Sequence, residues 1–257
     1  MQPSIEKKSA LFWRILATFS FVAMIVVNAL ANALPINDMT TGEVSDLYPN
    51  LFTPAGITFS IWSVIYILLA GFIIHSWRYI DLDKVTRLLP AFCVSCALNI
   101  SWILVWHNLL PAVSVVIMLM LLLTLVVLFL RIQRGIPRTK LNILFIVAPF
   151  SVYLAWICVA TIANVSAWLS SMPGDVLSST PQMWTVIMMS VAAVIAIWIF
   201  LKYQSPEFTA VVFWALLGIF LRWRGSEYDL VQTGSIMLMV ALLAITIVIL
   251  VRRPIPK

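Results

Sequence analysis

The sequence predicts an all-α, polytopic membrane helix bundle of about eight transmembrane helices. Three observations carry that prediction. Hydrophobic residues make up 63% of the 257-residue chain and charged residues only 10%, with a mean hydropathy of +1.06. Soluble domains sit near half apolar and a quarter charged. The apolar residues fall in long runs separated by turn signals, and the basic residues sort by position along the chain. Lipid offers the backbone no hydrogen-bond partners, so only helices and closed barrels span it, and runs this long and this apolar mean helices.

A hydrocarbon core of about 30 Å takes roughly 20 residues of helix. The first run covers 12–34. Lys7 and Lys8 precede it, as in a signal peptide, but it is too long for a signal h-region and reads as a spanning helix. The second, 54–77, opens with Thr53 as a helix cap and Pro54 in the first turn, where its missing N–H costs nothing. The others are 88–107, 112–131, 142–169, 183–201, 208–223 and 231–251. Turn signals divide them: Pro35 with Asn37 and Asp38, Asp81 and Asp83, Asn108 with Pro111, Gly135 with Pro137, Pro173 with Gly174, Ser205 with Pro206, and Gly225. The seventh run is the shortest and ends in Arg222. Were it not to span, the C-terminus would change sides.

The charges argue against that. With a cytoplasmic N-terminus and eight crossings, fourteen of the 16 basic residues fall on the cytoplasmic side. They run from Lys7, Lys8 and Arg14 through Arg78, Lys84, Arg87, Arg131, Arg134, Arg138, Lys140 and Lys202 to Arg252, Arg253 and Lys257. Only Arg222 and Arg224 lie opposite, with Asp38, Glu43, Asp46, Asp175, Glu227 and Asp229. The bias follows the positive-inside rule and places both termini in the cytoplasm. The formal net charge of +6 is therefore a topology signal. No basic stripe interleaves with aromatics, so the reading includes no nucleic acid. A plasma membrane, prokaryotic in kind, fits the compact chain.

Helix centres carry essentially no Asp, Glu, Lys or Arg, the usual markers of ion and proton pathways. That weakens a proton- or sodium-coupled transporter. His75 and His107 lie near helix ends and read as interfacial or satisfied residues. Cys93 and Cys96 form a C-x-x-C inside an apolar run, with no second pair, and read with Cys158 as small packing residues. No His/Asp/Glu cluster has metal-ligand spacing, and no Ser sits in a nucleophile elbow. No catalytic or metal residue is assigned, and an enzymatic role is the less favoured reading.

The helix interiors do hold uncharged polar and aromatic residues. Trp13, Trp77, Trp106, Trp168, Trp184 and Trp223 lie near helix ends, where tryptophan favours the interface. Trp62, Trp102, Trp156, Trp198 and Trp214 lie deeper, where they either line a pocket or pack in the core or against lipid. Phe59, Trp62 and Tyr66 recur at i, i+3 and i+7, one face of a helix. That face could wall a cavity opposite Trp102 and Trp156, with Asn99 and Asn164 supplying orienting hydrogen bonds. Alternatively it packs on the first helix around Asn28 and Asn32 with no cavity, and the amides serve as interhelical ties. An aromatic pocket with a few amide donors suits a flat, hydrophobic small molecule.

Three blocks resemble the TspO/MBR family of tryptophan-rich sensory and translocator proteins, also called peripheral-type benzodiazepine receptors. "FTPAGITFSIWSVIY" is similar to the start of the family's second helix through Thr53, Pro54, Gly56, Phe59, Trp62 and Tyr66, with Ala55 replacing a second proline. "LNISWILVWH" resembles the third-helix Asn-x-x-Trp pattern through Asn99 and Trp102. "WICVATIAN" resembles the fifth-helix pattern through Trp156, Ala160 and Asn164, with Val159 and Ala163 in place of Phe and Leu.

The likeness covers roughly 12–170. It divides the chain into a TspO-like five-helix membrane domain, 1–170, and an additional three-helix membrane segment, 171–257. The resemblance implies a cavity that binds tetrapyrroles such as protoporphyrin, or other apolar ligands, in a sensing or transport role. It requires no cofactor. Ligand contacts would come from Phe59, Trp62, Tyr66, Asn99, Trp102, Trp156, Ala160 and Asn164. In the family the loop after the first helix covers the cavity, so 35–50 is either a lid or a plain surface loop. The sterol-recognition pattern has no counterpart in "SAWLSSMPGD". The partners implied are a hydrophobic small-molecule ligand and membrane lipid, and the extra helices could support a homo-oligomer. A membrane transporter without a buried coupling charge, and an enzyme acting on a tetrapyrrole or isoprenoid lipid, are the alternatives.

Overall fold

Helix dominates every described segment of the chain. The computed structural model describes residues 3–34, 36–78, 82–173 and 180–251. The turn positions Pro35, Asp81 and Gly174, together with Asp175, Arg252, Arg253 and Lys257, lie outside the described residues. In chain order the structure has α1 (Pro3–Ala33), a 3-10 turn (Ile36–Asp38), α2 (Thr41–Asp46), and a second 3-10 turn (Gly56–Ser60) leading into α3 (Ile61–Arg78). Then come α4 (Leu82–Thr86), α5 (Leu89–His107), α6 (Pro111–Gly135), α7 (Lys140–Asn142) and α8 (Ala148–Ser170). The chain ends in α9 (Pro181–Tyr203), α10 (Pro206–Trp223) and α11 (Asp229–Val251). Among the described residues, 8 helices are long and apolar enough to cross a membrane, and Pro206–Trp223 is one of them. An even number of crossings brings α11 back to the side on which α1 begins.

Local chemistry sets the boundaries. Pro111, Pro181 and Pro206 each open a helix, where φ is already right and the lost N–H had no partner. Gln204 ends α9 in the left-handed region, with φ 56. Pro149 explains the one irregularity in the fifth span. It removes the N–H that an α-helix would direct at the Phe145 carbonyl, and the chain widens into a π-helix at Ile143–Val147 before α8 resumes.

One sequence expectation changes here. Thr53 does not cap a helix starting at Pro54; its hydroxyl is buried without a partner, and the chain takes a 3-10 turn before α3. The reason is tertiary. The Ala55 N–H donates to the Gly218 carbonyl of α10 at 3.0 Å, which holds this stretch off the helical path.

The span containing α8 is the hub: 67% of its most apolar stretch is buried, against 17% for that of α11. It packs against α6, α3, α9 and α10, while α1 lies on α5 and α3. The C-terminal helices α9, α10 and α11 pack on one another, and α10 also docks on α8 and on the second 3-10 turn. Lipid gives apolar side chains no reason to associate, so polar ties and close packing hold such helices together. A chain of amides does this at the centre. Asn28 Nδ2 of α1 donates to Asn99 Oδ1 of α5 at 2.7 Å, and Asn99 Nδ2 donates to the Tyr153 hydroxyl of α8 at 3.0 Å. Ser114 Oγ of α6 donates to Asn164 Oδ1 of α8, and Trp184 Nε1 of α9 donates to Ser166 Oγ at 3.1 Å.

Candidate functional site

Phe59 of the second 3-10 turn comes together with Trp62 and Tyr66 of α3 on one surface. Trp62 is the centre of a ring cluster. Its indole stacks on Tyr66 at 5.7 Å and on Trp102 at 6.2 Å, and meets Tyr153 and Trp156 edge-on at 6.1 and 6.3 Å. Phe59 adds an edge-on contact to Trp156 at 6.1 Å. Each such pair contributes about 0.5–1.5 kcal/mol beyond the area it buries.

Two spaces adjoin this cluster. The larger is a cleft of about 590 Å³ between α1 and α3. Phe59, Trp62, Ser63 and Tyr66 form one wall, and Ile25, Asn28 and Asn32 of α1 form the other. The face therefore does not simply pack on the first helix; open space separates the two. Behind Phe59 and Trp62 lies a smaller inner chamber of about 40 Å³, bordered by Trp102, Trp106, Trp156, Val159, Ala160 and Asn164. Phe59 and Trp62 border both spaces and separate them.

The structure thus distributes the eight sequence candidates unevenly. Phe59, Trp62 and Tyr66 face the cleft. Trp102, Trp156, Ala160 and Asn164 face the inner chamber, not the cleft wall opposite. Asn99 borders neither space; it is fully buried, and both ends of its amide are spent on Asn28 and Tyr153. Trp106, expected at the interface, is buried against Trp102 at 6.1 Å and Tyr48 at 5.6 Å. Trp198 faces outward, with Lys202 Nζ 4.9 Å from its ring centre.

Two polar atoms of the chamber stand out. The indole N–H groups of Trp102 and Trp156 are buried and have no acceptor. A buried donor left unmade costs about 1–3 kcal/mol. A chamber of about 40 Å³ has room for water.

The segment after α1 covers the cleft. Thr40, Thr41, Gly42, Glu43 and Asp46 all line it. Asn37 and Asp38 both take φ near 58, a conformation that short polar residues tolerate, and this turns the chain back over the bundle. Thr40 and Glu43 form a capping box at the start of α2: the Glu43 carboxylate accepts from the Thr40 N–H at 2.7 Å. That backbone bond, with a second from the Thr40 hydroxyl, holds the Glu43 pKa below its ordinary value. Burial pushes the Tyr48 phenol up. The cover is tied to the end of α5. Asn37 Nδ2 donates to the His107 carbonyl at 2.6 Å, the His107 ring lies 3.1 Å from the Thr41 hydroxyl, and Trp106 Nε1 donates to the Thr41 carbonyl at 3.3 Å.

A second anchor comes from α10, which sequence reasoning left without a role. Arg222 pairs with Asp46 at 2.7 Å at the mouth of the cleft. The pair is half-exposed, so its worth is at most about 1 kcal/mol. Trp214 Nε1 donates to the Thr58 carbonyl at 3.0 Å and Trp223 Nε1 to the Leu51 carbonyl at 2.9 Å. Gly218 lets the 3-10 turn approach so closely that a Cβ there would lie 2.1 Å from Thr58 Oγ1. One signal could have found this helix. Arg222 is one of only two basic residues that break the charge pattern, and such exceptions need a local reason.

Fold and site together define a polytopic membrane protein with an aromatic-walled cleft beneath a loop cover. The chain belongs to the TSPO-like protein family, whose model matches residues 14–250. The match runs through α11, so the three C-terminal helices lie inside the family's pattern. No curated protein and no solved structure matches the chain.

Proposed function

We propose that this TspO-like protein is a membrane receptor or carrier that binds a planar, largely apolar small molecule in the cleft between α1 and α3. A tetrapyrrole such as protoporphyrin is one candidate. The observation that carries the reading is the convergence of Phe59, Trp62 and Tyr66 on one wall of a space of about 590 Å³, within the usual 300–1,000 Å³ of small-molecule sites. The aromatic wall offers faces for stacking, and the α1 wall offers Asn28 and Asn32. The mouth bears Glu43, Asp46 and Arg222, and Arg222 is already paired. A dianionic porphyrin would have to compete with Asp46 for it, so an uncharged planar probe belongs in the same test. The bias of basic residues supports both termini on the cytoplasmic side of a plasma membrane, prokaryotic in kind.

The test is a titration of nanodisc-held protein with protoporphyrin IX and with pyrene, following tryptophan quenching. Phe59→Leu and Trp62→Leu remove cleft rings; Trp198→Leu removes a lipid-facing one. The proposal expects saturable quenching, with affinity about tenfold weaker in the cleft variants, the equivalent of one lost aromatic contact of about 1.4 kcal/mol, and unchanged in Trp198→Leu. Non-saturable quenching that is equal in every variant means partition into lipid and refutes the site.

A further inference from the structure

A further space lies at the opposite end of the bundle, on the side where α1 begins. It is a groove of about 870 Å³ between the junction of α4 and α5 and the end of α6. Two pairs of cations border it: Lys84 and Arg87 on one wall, Arg131 and Arg134 on the other. Arg131 and Arg134 have i, i+3 spacing on α6, so both project from the same side of that helix. Leu88 and Ile136, both buried, supply an apolar floor with Pro90. No acidic residue borders the groove among the described residues.

The positive-inside rule accounts for basic residues at this end of the helices. It does not account for two pairs facing each other across a groove. Arg131 and Arg134 are exposed and have no ion-pair or hydrogen-bond partner among the described residues. Lys84 and Arg87 make other interactions and complete the facing wall. Asp81 and Asp83 precede Lys84 in sequence; counting both carboxylates still leaves four cations against two anions.

The surface leading away from the groove is apolar. Leu123 and Val127, 64% and 43% exposed, precede Arg131 at successive i+4 steps on α6. Val94 is exposed near the start of α5. A cationic groove thus caps a lipid-facing apolar strip, at the depth where a helix leaves the hydrocarbon. A soluble anion would use the cations only. An amphiphile with an anionic head and acyl chains would use both.

We infer that the groove bordered by Lys84, Arg87, Arg131 and Arg134 is a binding site for the headgroup of an anionic phospholipid, whose acyl chains lie along the Leu123–Val127 face of α6. Basic pockets between transmembrane helices recognise anionic headgroups through this combination of charge and depth. The site is separate from the aromatic cleft and does not depend on it.

The test measures which lipids the purified full chain retains, by native mass spectrometry from mixed micelles holding equal phosphatidylglycerol and phosphatidylcholine. Arg131→Gln/Arg134→Gln removes the unpartnered pair, and Arg138→Gln, outside the groove, is the control. Each basic residue near a membrane surface is worth about 1 kcal/mol toward anionic lipid. The double variant is therefore expected to lose roughly 30-fold in preference for phosphatidylglycerol, while Arg138→Gln, a single charge outside the groove, loses about fivefold at most. Added salt should weaken the wild-type preference. Equal retention of the two lipids by wild-type protein overturns the proposal, and this needs no variant to fold. So does a preference that survives the double substitution. Displacement of the lipid by millimolar inorganic phosphate in wild-type protein overturns the lipid reading in favour of a soluble anion.

Discussion

Gly218→Ala tests whether α10 shapes the site or merely stands beside it. The added Cβ would lie 2.1 Å from Thr58 Oγ1, 2.7 Å from Cγ2 and 2.9 Å from Cβ, where ordinary contact begins near 3.4 Å. One side must retreat by about 1.3 Å. Neither can do so freely. Thr58 is 1% exposed and its carbonyl holds the Trp214 indole, while the Gly218 carbonyl holds the Ala55 N–H. Overpacking of this kind costs about 1–3 kcal/mol, to which loss of the backbone bond adds about 1 kcal/mol. At roughly 2–4 °C per kcal/mol for a chain of this size, thermal unfolding in nanodiscs should shift down by about 4–16 °C. Because Thr58 adjoins Phe59, ligand affinity should fall as well. Gly218→Ala/Thr58→Ala removes the two nearest atoms and should recover more than half of the stability lost. A single variant within about 0.5 kcal/mol of wild type, or a double variant no better than the single, would refute the packing argument.

Two further outcomes are expected. Tyr153→Phe leaves the Asn99 Nδ2 donor without its acceptor. Interhelical hydrogen bonds in lipid average about 0.6 kcal/mol and reach about 1.7, so unfolding measurements should show a loss of about 1 kcal/mol, with ligand affinity unchanged because Tyr153 borders neither space. The Glu43 carboxylate has a lowered pKa in the folded protein. Its contribution to the cover is therefore fully present above the ordinary value of 4.5 and is lost as pH falls through the lower folded value. Hydrogen-exchange protection of residues 40–46 should drop in wild type as the pH falls below the ordinary value of 4.5 and through the lower folded value, and the drop should be absent in Glu43→Gln.

Element existence was legible because lipid leaves so few choices. Long apolar runs, proline starts and the charge bias located all eight spans to within a few residues, including the short Pro206–Trp223 helix. The i, i+3, i+7 spacing of Phe59, Trp62 and Tyr66 correctly placed them on one surface. What the pattern lacked was distance across the bundle. Asn99 looks like a ligand donor in sequence, but its two amide atoms are taken by residues 71 and 54 positions away. Trp106 looks interfacial because it is near a helix end, yet the cover segment folds over that end and buries it. Thr53 and Pro54 have the chemistry of a helix start, and a backbone bond from a helix over 160 residues later diverts them. Each miss arises where a long-range contact overrides a local preference. The role of Arg222 is of the same kind, since its partner Asp46 lies in a different segment of the chain.

The most direct test of the central claim places a reporter in the cleft itself. Ser63 lines the cleft and is exposed within it. Ser63→Cys would be introduced into a chain whose Cys93, Cys96 and Cys158 are replaced by Ala, with Ser101→Cys on α5, outside both spaces, as the control. Maleimide labelling in nanodiscs would be followed with and without saturating protoporphyrin IX or pyrene. The cleft reading predicts that at least one of these planar molecules slows labelling at Ser63→Cys by tenfold or more and leaves the control unchanged. Equal labelling with and without both molecules, or equal slowing at both positions, would contradict it.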